Sequence, residues 1–254
     1  MSGFPRPITP VDHVEPVPRR IRATRGHEVV LDTTEALYVW EWPYYPHFYI
    51  PYRDVHHDLL LVGPEAEESW PGTARLCSWA DGDPATVVAR LLVEARNPVL
   101  GDTVRFDWEA LDAWFEEDQE VFVHPRSPYA RVDALRSTRT VRVELDGVVL
   151  AESGSPVMVF ETGLPTRYYL NRTEVRFEHL VPTPTVTRCP YKGTTSGYWS
   201  VVINGNHHAD LAWTYDFPTR ELLAIAGLVA FYNEKVDVFV DGIREDRPTT
   251  HFSD

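Results

Sequence analysis

Lysine is almost missing from this chain. Of its 24 basic residues only Lys192 and Lys235 are lysines. A coding bias toward arginine explains the scarcity, but each remaining lysine raises the question of why arginine does not serve there. Cysteine is equally scarce. Cys77 and Cys189 are the whole supply, too few for a disulfide framework or a four-thiolate zinc site. No run of about 18 apolar residues exists to span a membrane. Residues 1–19 are Pro-rich and lack the apolar stretch of a secretory signal. A basic excess is absent as well. The net charge is -14, the wrong sign for a nucleic-acid backbone. The expectation is therefore a cytoplasmic globular protein, monomer or homodimer, whose partner is a small molecule and not nucleic acid or membrane. No cofactor or metal is expected.

What the chain does have is an internal repeat, at a period near 120 in its 254 residues. Val29-Val30-Leu31 matches Val148-Val149-Leu150, and Leu37 to Glu41 matches Val157 to Glu161. Tyr49 falls on Tyr169 and Val55 on Val175. Later, Val104, Phe106, Glu109 and Asp112 fall on Val229, Phe231, Glu234 and Asp237. A period this long means tandem domains, not a solenoid. The reading is a tail over 1–19, a first domain over 20–135 and a second over 136–254. A proline-punctuated linker runs from His124 to Tyr129 and on to Arg131.

Both copies read as all-β. Val141–Glu144 and Val148–Ala151 flank Asp146-Gly147, a strong hairpin signal because such a turn needs positive φ. Tyr198–Ile203 before Asn204-Gly205 gives a second hairpin. Val229–Tyr232 and Val236–Val240 around Asn233-Glu234 give a third. Long helical periodicity is missing, and only Glu221–Ala226 after Pro218 suggests a short helix. Aromatic residues at 12% suit half-buried sheet surfaces.

From Cys189-Pro190-Tyr191-Lys192-Gly193 the chain resembles a known family. Phe160-Glu161, Arg167-Tyr168-Tyr169, Tyr198-Trp199-Ser200-Val201, Ala212-Trp213-Thr214-Tyr215 and Ala226–Tyr232 follow the same order. So do Trp114–Asp118 and His124-Pro125-Arg126. These motifs are similar to the bacterial "domain of unknown function 427" family, in the tandem form seen in actinobacteria. The resemblance implies a β-tent of strongly coiled antiparallel sheets. It also brings a nucleotidyltransferase label. That chemistry uses a Gly-Ser pair followed by paired aspartates for two metals. Gly154-Ser155 is present, but no Asp-x-Asp or Asp-x-Glu follows it. Asp237 and Asp241 belong to a separate hairpin.

The copies differ where a site would be. Gly193 aligns with Gly72, so Lys192 falls on Pro71, Tyr191 on Trp70, and Trp213 near Ala89-Arg90-Leu91. Only the second copy retains the Cys, the Lys and that tryptophan. Lys192, among apolar neighbours, is a candidate base, Schiff-base nucleophile or anion holder, or else a turn lysine at the surface. Glu161 at the end of a core strand is a general acid or base, or a structural partner of Arg167 or Lys192. Cys189 is a nucleophile or a buried structural thiol. Tyr168, Tyr169, Tyr198, Trp199, Trp213 and Tyr232 line an apolar pocket or simply fill the core. Arg167 completes the substrate-binding set. His207, His208 and Asp210 offer two or three metal ligands but follow a turn, where polar residues are expected anyway.

Three functions fit. One is a cofactor-independent enzyme acting on a small molecule through Lys192 and Glu161, by isomerisation, cyclisation or hydrolysis. Another is a binding module that uses the same pocket without catalysis. The third is an interaction protein whose active surface is the acidic run Asp107–Glu120. An enzyme predicts that Lys192 lines a second-domain cavity walled by Tyr169 and Trp213, with Glu161 close by.

Overall fold

The computed structural model describes residues 9–250 together with Phe252 and Ser253; residues 1–8 of the expected tail, His251 and Asp254 lie outside that description. The chain is all-β, with single-turn or two-turn 3-10 segments in place of helices. No helix among the described residues is long and apolar enough to cross a membrane. Two compact units divide between Ser127 and Pro128, inside the proline-punctuated linker.

Each unit holds one seven-stranded and one four-stranded antiparallel sheet, in matching order. The large sheet of the first runs Val14–Pro16, Leu37–Val39, His47–Pro51, Thr103–Phe106, Ala89–Ala95, Gly72–Trp79, Leu60–Ser69. That of the second runs Val132–Arg136, Val157–Glu161, Arg167–Leu170, Val229–Phe231, Asn206–Thr214, Gly197–Ile203, Leu180–Thr183. The small sheets are built on the hairpins Ile21–Arg25 with Glu28–Thr33 and Val141–Leu145 with Val148–Ser153. Strand registers match across the repeat. Leu37 pairs Tyr49 as Val157 pairs Tyr169, and isolated bridges join Leu31 to Val55 and Ala151 to Val175.

Period-two alternation drives this arrangement. In Val141–Leu145 every second side chain is buried. Those side chains meet the inner face of the large sheet, so that Val141, Leu150, Leu170, Val201 and Phe231 share one core. Ile21, Leu31, Tyr38, Ile50 and Trp114 do the same in the first unit. Turn chemistry fixes the registers. Asp146 and Gly147 take φ of 50° and 77°, and Asn204 and Gly205 take 50° and 82°.

Several expectations need correction. Asn233-Glu234 is not a hairpin turn. Val229–Phe231 pairs within the large sheet, whereas Asp237–Val240 pairs Val141–Leu145 in the small one. The turn there is Asp241-Gly242, at φ 50° and 80°, which folds Ile243–Arg244 back onto Asp237–Val240. A boundary at 135/136 would cut Val132–Arg136, which is the edge strand beside Val157–Glu161. Nor are residues 14–16 tail, because they pair with Leu37–Val39. The segment expected as a short helix is a 3-10 run, Arg220–Ile225.

The acidic run carries carboxylates that are mostly exposed and partly paired. It forms the strands Ala113–Glu116 and Gln119–Val121. Glu116 is buried against Arg19, Asp118 pairs Arg22, Glu117 accepts from the Arg20 amide, and Asp112 accepts from the Gly26 amide.

Gly72 marks the tightest backbone approach. Its φ is 140°, and a Cβ there would lie 1.8 Å from the Glu94 carbonyl oxygen. Gly72→Ala is expected to destabilise the first domain by at least about 1–3 kcal/mol. Urea unfolding followed by tryptophan fluorescence measures this, and an unchanged midpoint would show that the strand yields freely.

Candidate functional site

The outer face of the second large sheet carries the cluster. Strand alternation sends Arg167 and Tyr169 to this face and Tyr168 to the other. Tyr169, Tyr198, Trp213 and Tyr215 pack there, roofed by Leu222 and Ile225 of the 3-10 run. Tyr198 and Trp213 stack with centroids 6.3 Å apart, and Trp213 lies 4.4 Å from the Tyr232 ring. The Tyr198 and Tyr232 hydroxyls share a 2.6 Å hydrogen bond. Trp213 Nε1 donates to the Tyr169 hydroxyl at 3.3 Å.

Lys192 reaches this face from a turn. In the first copy Leu60–Ser69 and Gly72–Trp79 form one long hairpin closed by Trp70-Pro71. In the second the same hairpin is in two parts, and its tip pairs Arg188–Cys189 with Gly193–Thr194 around Pro190-Tyr191-Lys192. The Thr219 hydroxyl donates to the Tyr191 carbonyl at 2.6 Å and the Thr219 amide to the Lys192 carbonyl at 3.1 Å, which fix the turn. The Lys192 ammonium donates to Glu161 Oε2, and both side chains are 10% exposed. Its Nζ lies 3.9 Å from Cys189 Sγ. Burial works against the charge on Lys192, but Cys189, Glu161 and Tyr169 outweigh it and hold its pKa above the ordinary lysine value. The Tyr169 phenol is pushed up to about 12, first by burial, against the opposing pull of Lys192. At neutral pH the group facing Glu161 is thus a full ammonium and not a free amine.

Lys192, Glu161, Tyr169 and Trp213 therefore come together, with Cys189 added. Tyr198 and Tyr232 adjoin them. Arg167 does not serve Glu161. Its guanidinium forms a bidentate pair with Glu234, both bonds 2.6 Å, and donates to Asn233 Oδ1 at 3.2 Å. Glu234, fully buried at its side chain, also accepts from Thr250. Its pKa is lowered because the bonds from Arg167 outweigh burial, which alone would raise it. Tyr168 faces the inner core and donates to Glu245 at 2.8 Å. Trp199 likewise turns away, edge-on to Phe177 and under Arg172. These two leave the set expected around the site. Glu234, Asn233 and Tyr215 are buried members that the sequence did not announce.

The first copy keeps the carboxylate and changes its cation. Glu41 accepts from the Tyr49 hydroxyl at 3.0 Å and pairs Arg105 at 2.8 Å. Arg105 stands opposite Arg90 as Ala230 stands opposite Trp213. An aromatic face in one copy is thus an ionic network in the other. A cavity of about 140 Å³ lies there, lined by Glu41, Tyr49, Ser69 and Pro71 among others. A second cavity, of about 280 Å³, also belongs to the first domain. Lys192 is buried and lines neither of them.

The family model for a domain of unknown function (DUF427) matches residues 13–116 and again 133–242. The chain belongs to this family. It carries two DUF427 domains in tandem, each with the two-sheet architecture above. No curated protein matches the chain. Among the described residues no group of three or more His, Cys, Asp or Glu is placed to hold a metal ion. In the second DUF427 domain His208 turns to Asp146, while Asp210 accepts from Thr183 and Thr185. Asp237 and Asp241 are taken up by arginines, Arg244 and Arg247 for the first and Arg139 for the second.

Proposed function

We propose that the second domain is an enzyme centre that acts on a small organic molecule without a cofactor. Glu161 transfers the proton, and Lys192 supplies a fixed positive charge for an oxyanion or enolate. The carrying observation is the buried Lys192–Glu161 pair against the Tyr169 phenol and Cys189. Burying an ion pair often contributes little to stability compared with apolar packing, and this one, unlike Arg167–Glu234, is built on the two-part hairpin tip that the first copy lacks. The raised lysine pKa narrows that role. An ammonium held charged beside Glu161 suits isomerisation, cyclisation or hydrolysis steered by charge. Tyr198, Trp213 and Tyr232 supply the apolar wall.

A second reading, binding without conversion, rests on the same aromatic wall of Tyr198, Trp213 and Tyr232 without the proton transfer. A thermal-shift screen against a metabolite library begins to separate them, since a ligand stabilises the native state by mass action. The proposal expects at least one anionic or carbonyl compound to raise the midpoint of wild type. It expects Lys192→Arg to keep part of that shift and Lys192→Met to lose it. A shift that survives Lys192→Met places the ligand elsewhere and removes Lys192 from the reading.

A further inference from the structure

The larger cavity lies in the first domain, away from the Lys192 cluster, and none of the foregoing uses it. About 280 Å³ is at the small end of ligand sites. Its walls are aromatic, with Tyr45, Phe48, Trp108 and Trp114 among them. Two stacked pairs stiffen them. Tyr45 lies flat on His124, centroids 3.7 Å apart, and Trp108 on Trp114 at 4.9 Å.

Among the cavity's arginine and carboxylates, Arg105, Asp107 and Glu109, one sign is left over. Asp107 and Arg105 satisfy each other, with Glu41 and Arg90 as further partners. Glu109 is exposed, and its carboxylate has no hydrogen bond or ion pair among the described residues. His47 contributes no compensating charge at neutral pH, because burial lowers its pKa. A ring-lined cavity with one uncompensated carboxylate attracts a cation, which ring faces and carboxylate both favour. An anion would meet Glu109 with no free cation to offset it. The rim adds a further sign of specialisation. Val123, a β-branched residue lining the cavity, holds φ at 71°, a backbone that such residues rarely adopt.

We propose that this cavity binds a small organic cation, an amine or quaternary ammonium carrying a compact apolar group. Calorimetric titration of the full chain with benzyltrimethylammonium, benzyl alcohol and benzoate tests it. The cation is expected to bind, benzyl alcohol more weakly and benzoate not at all. Glu109→Gln, at an exposed position that leaves the fold intact, is expected to weaken the cation about fivefold or more. Tyr45→Leu is expected to weaken the cation as well, and because Tyr45 lines this first-domain cavity the loss separates the site from the Lys192 cluster. No binding of the cation, equal binding of benzoate, or an affinity indifferent to Glu109→Gln would each overturn the proposal.

Discussion

Arg167→Met is expected to destabilise the second domain by about 3–5 kcal/mol. The substitution keeps the length and apolar stem but removes the partner of a carboxylate with no exposed side-chain surface. Asn233 and Thr250 remain, and neither carries charge. The companion change Glu234→Gln is expected to return much of the loss in the double variant, because no buried charge then stands alone. Linkage gives a second readout. The Glu234 pKa is lower in the folded state than the ordinary value near 4.5. Its contribution is therefore complete above that pH and is lost as pH falls through the lower folded value. Denaturant unfolding of wild type across pH 2–6 should show this acid limb, and the double variant should show a shallower one. A change under about 1 kcal/mol for Arg167→Met would mean that water reaches Glu234.

The second large effect belongs to Lys192. A lysine in a surface turn could be replaced by methionine without harm to the fold, but the burial of this pair argues otherwise. Removing the ammonium strands Glu161, and a loss of about 3 kcal/mol or more is expected. Glu161→Gln strands the ammonium in turn. The double variant is expected to be more stable than either single one, a coupling that only a direct contact gives. The Lys192 pKa is raised on folding. Its stabilisation is thus complete below about pH 10.5 and fades only as pH rises through the higher folded value, so neutral-pH measurements see it in full. Additive losses across this cycle would separate the two residues in solution.

Much of the fold was legible because its signals are local. Asp146-Gly147 and Asn204-Gly205 announce positive φ, and alternation announces strands. The repeat supplied the tandem architecture, and register then matched Glu41 with Glu161 and Tyr49 with Tyr169. Alternation, applied within Arg167-Tyr168-Tyr169, also separates Tyr168 from its neighbours, a distinction lost when the motif is taken as a block. Asn233-Glu234 misled for a physical reason. Polar residues between apolar runs usually face water, and only the three-dimensional arrival of Arg167 turns them inward. The first-domain cavity left no trace in the sequence. It depends on how a turn places Tyr45 on His124 and how Arg105 draws Asp107 aside, contacts between distant segments.

The chemistry proposed for Glu161 and Lys192 in the second domain is tested most directly by turnover. Wild type, Glu161→Gln and Lys192→Arg, each verified as folded, are incubated with the compounds that stabilise wild type, and products are followed by mass spectrometry. The account predicts conversion by wild type, partial conversion by Lys192→Arg, and binding without conversion by Glu161→Gln. Equal conversion by wild type and Glu161→Gln, or bound compounds that wild type leaves unchanged, would contradict it.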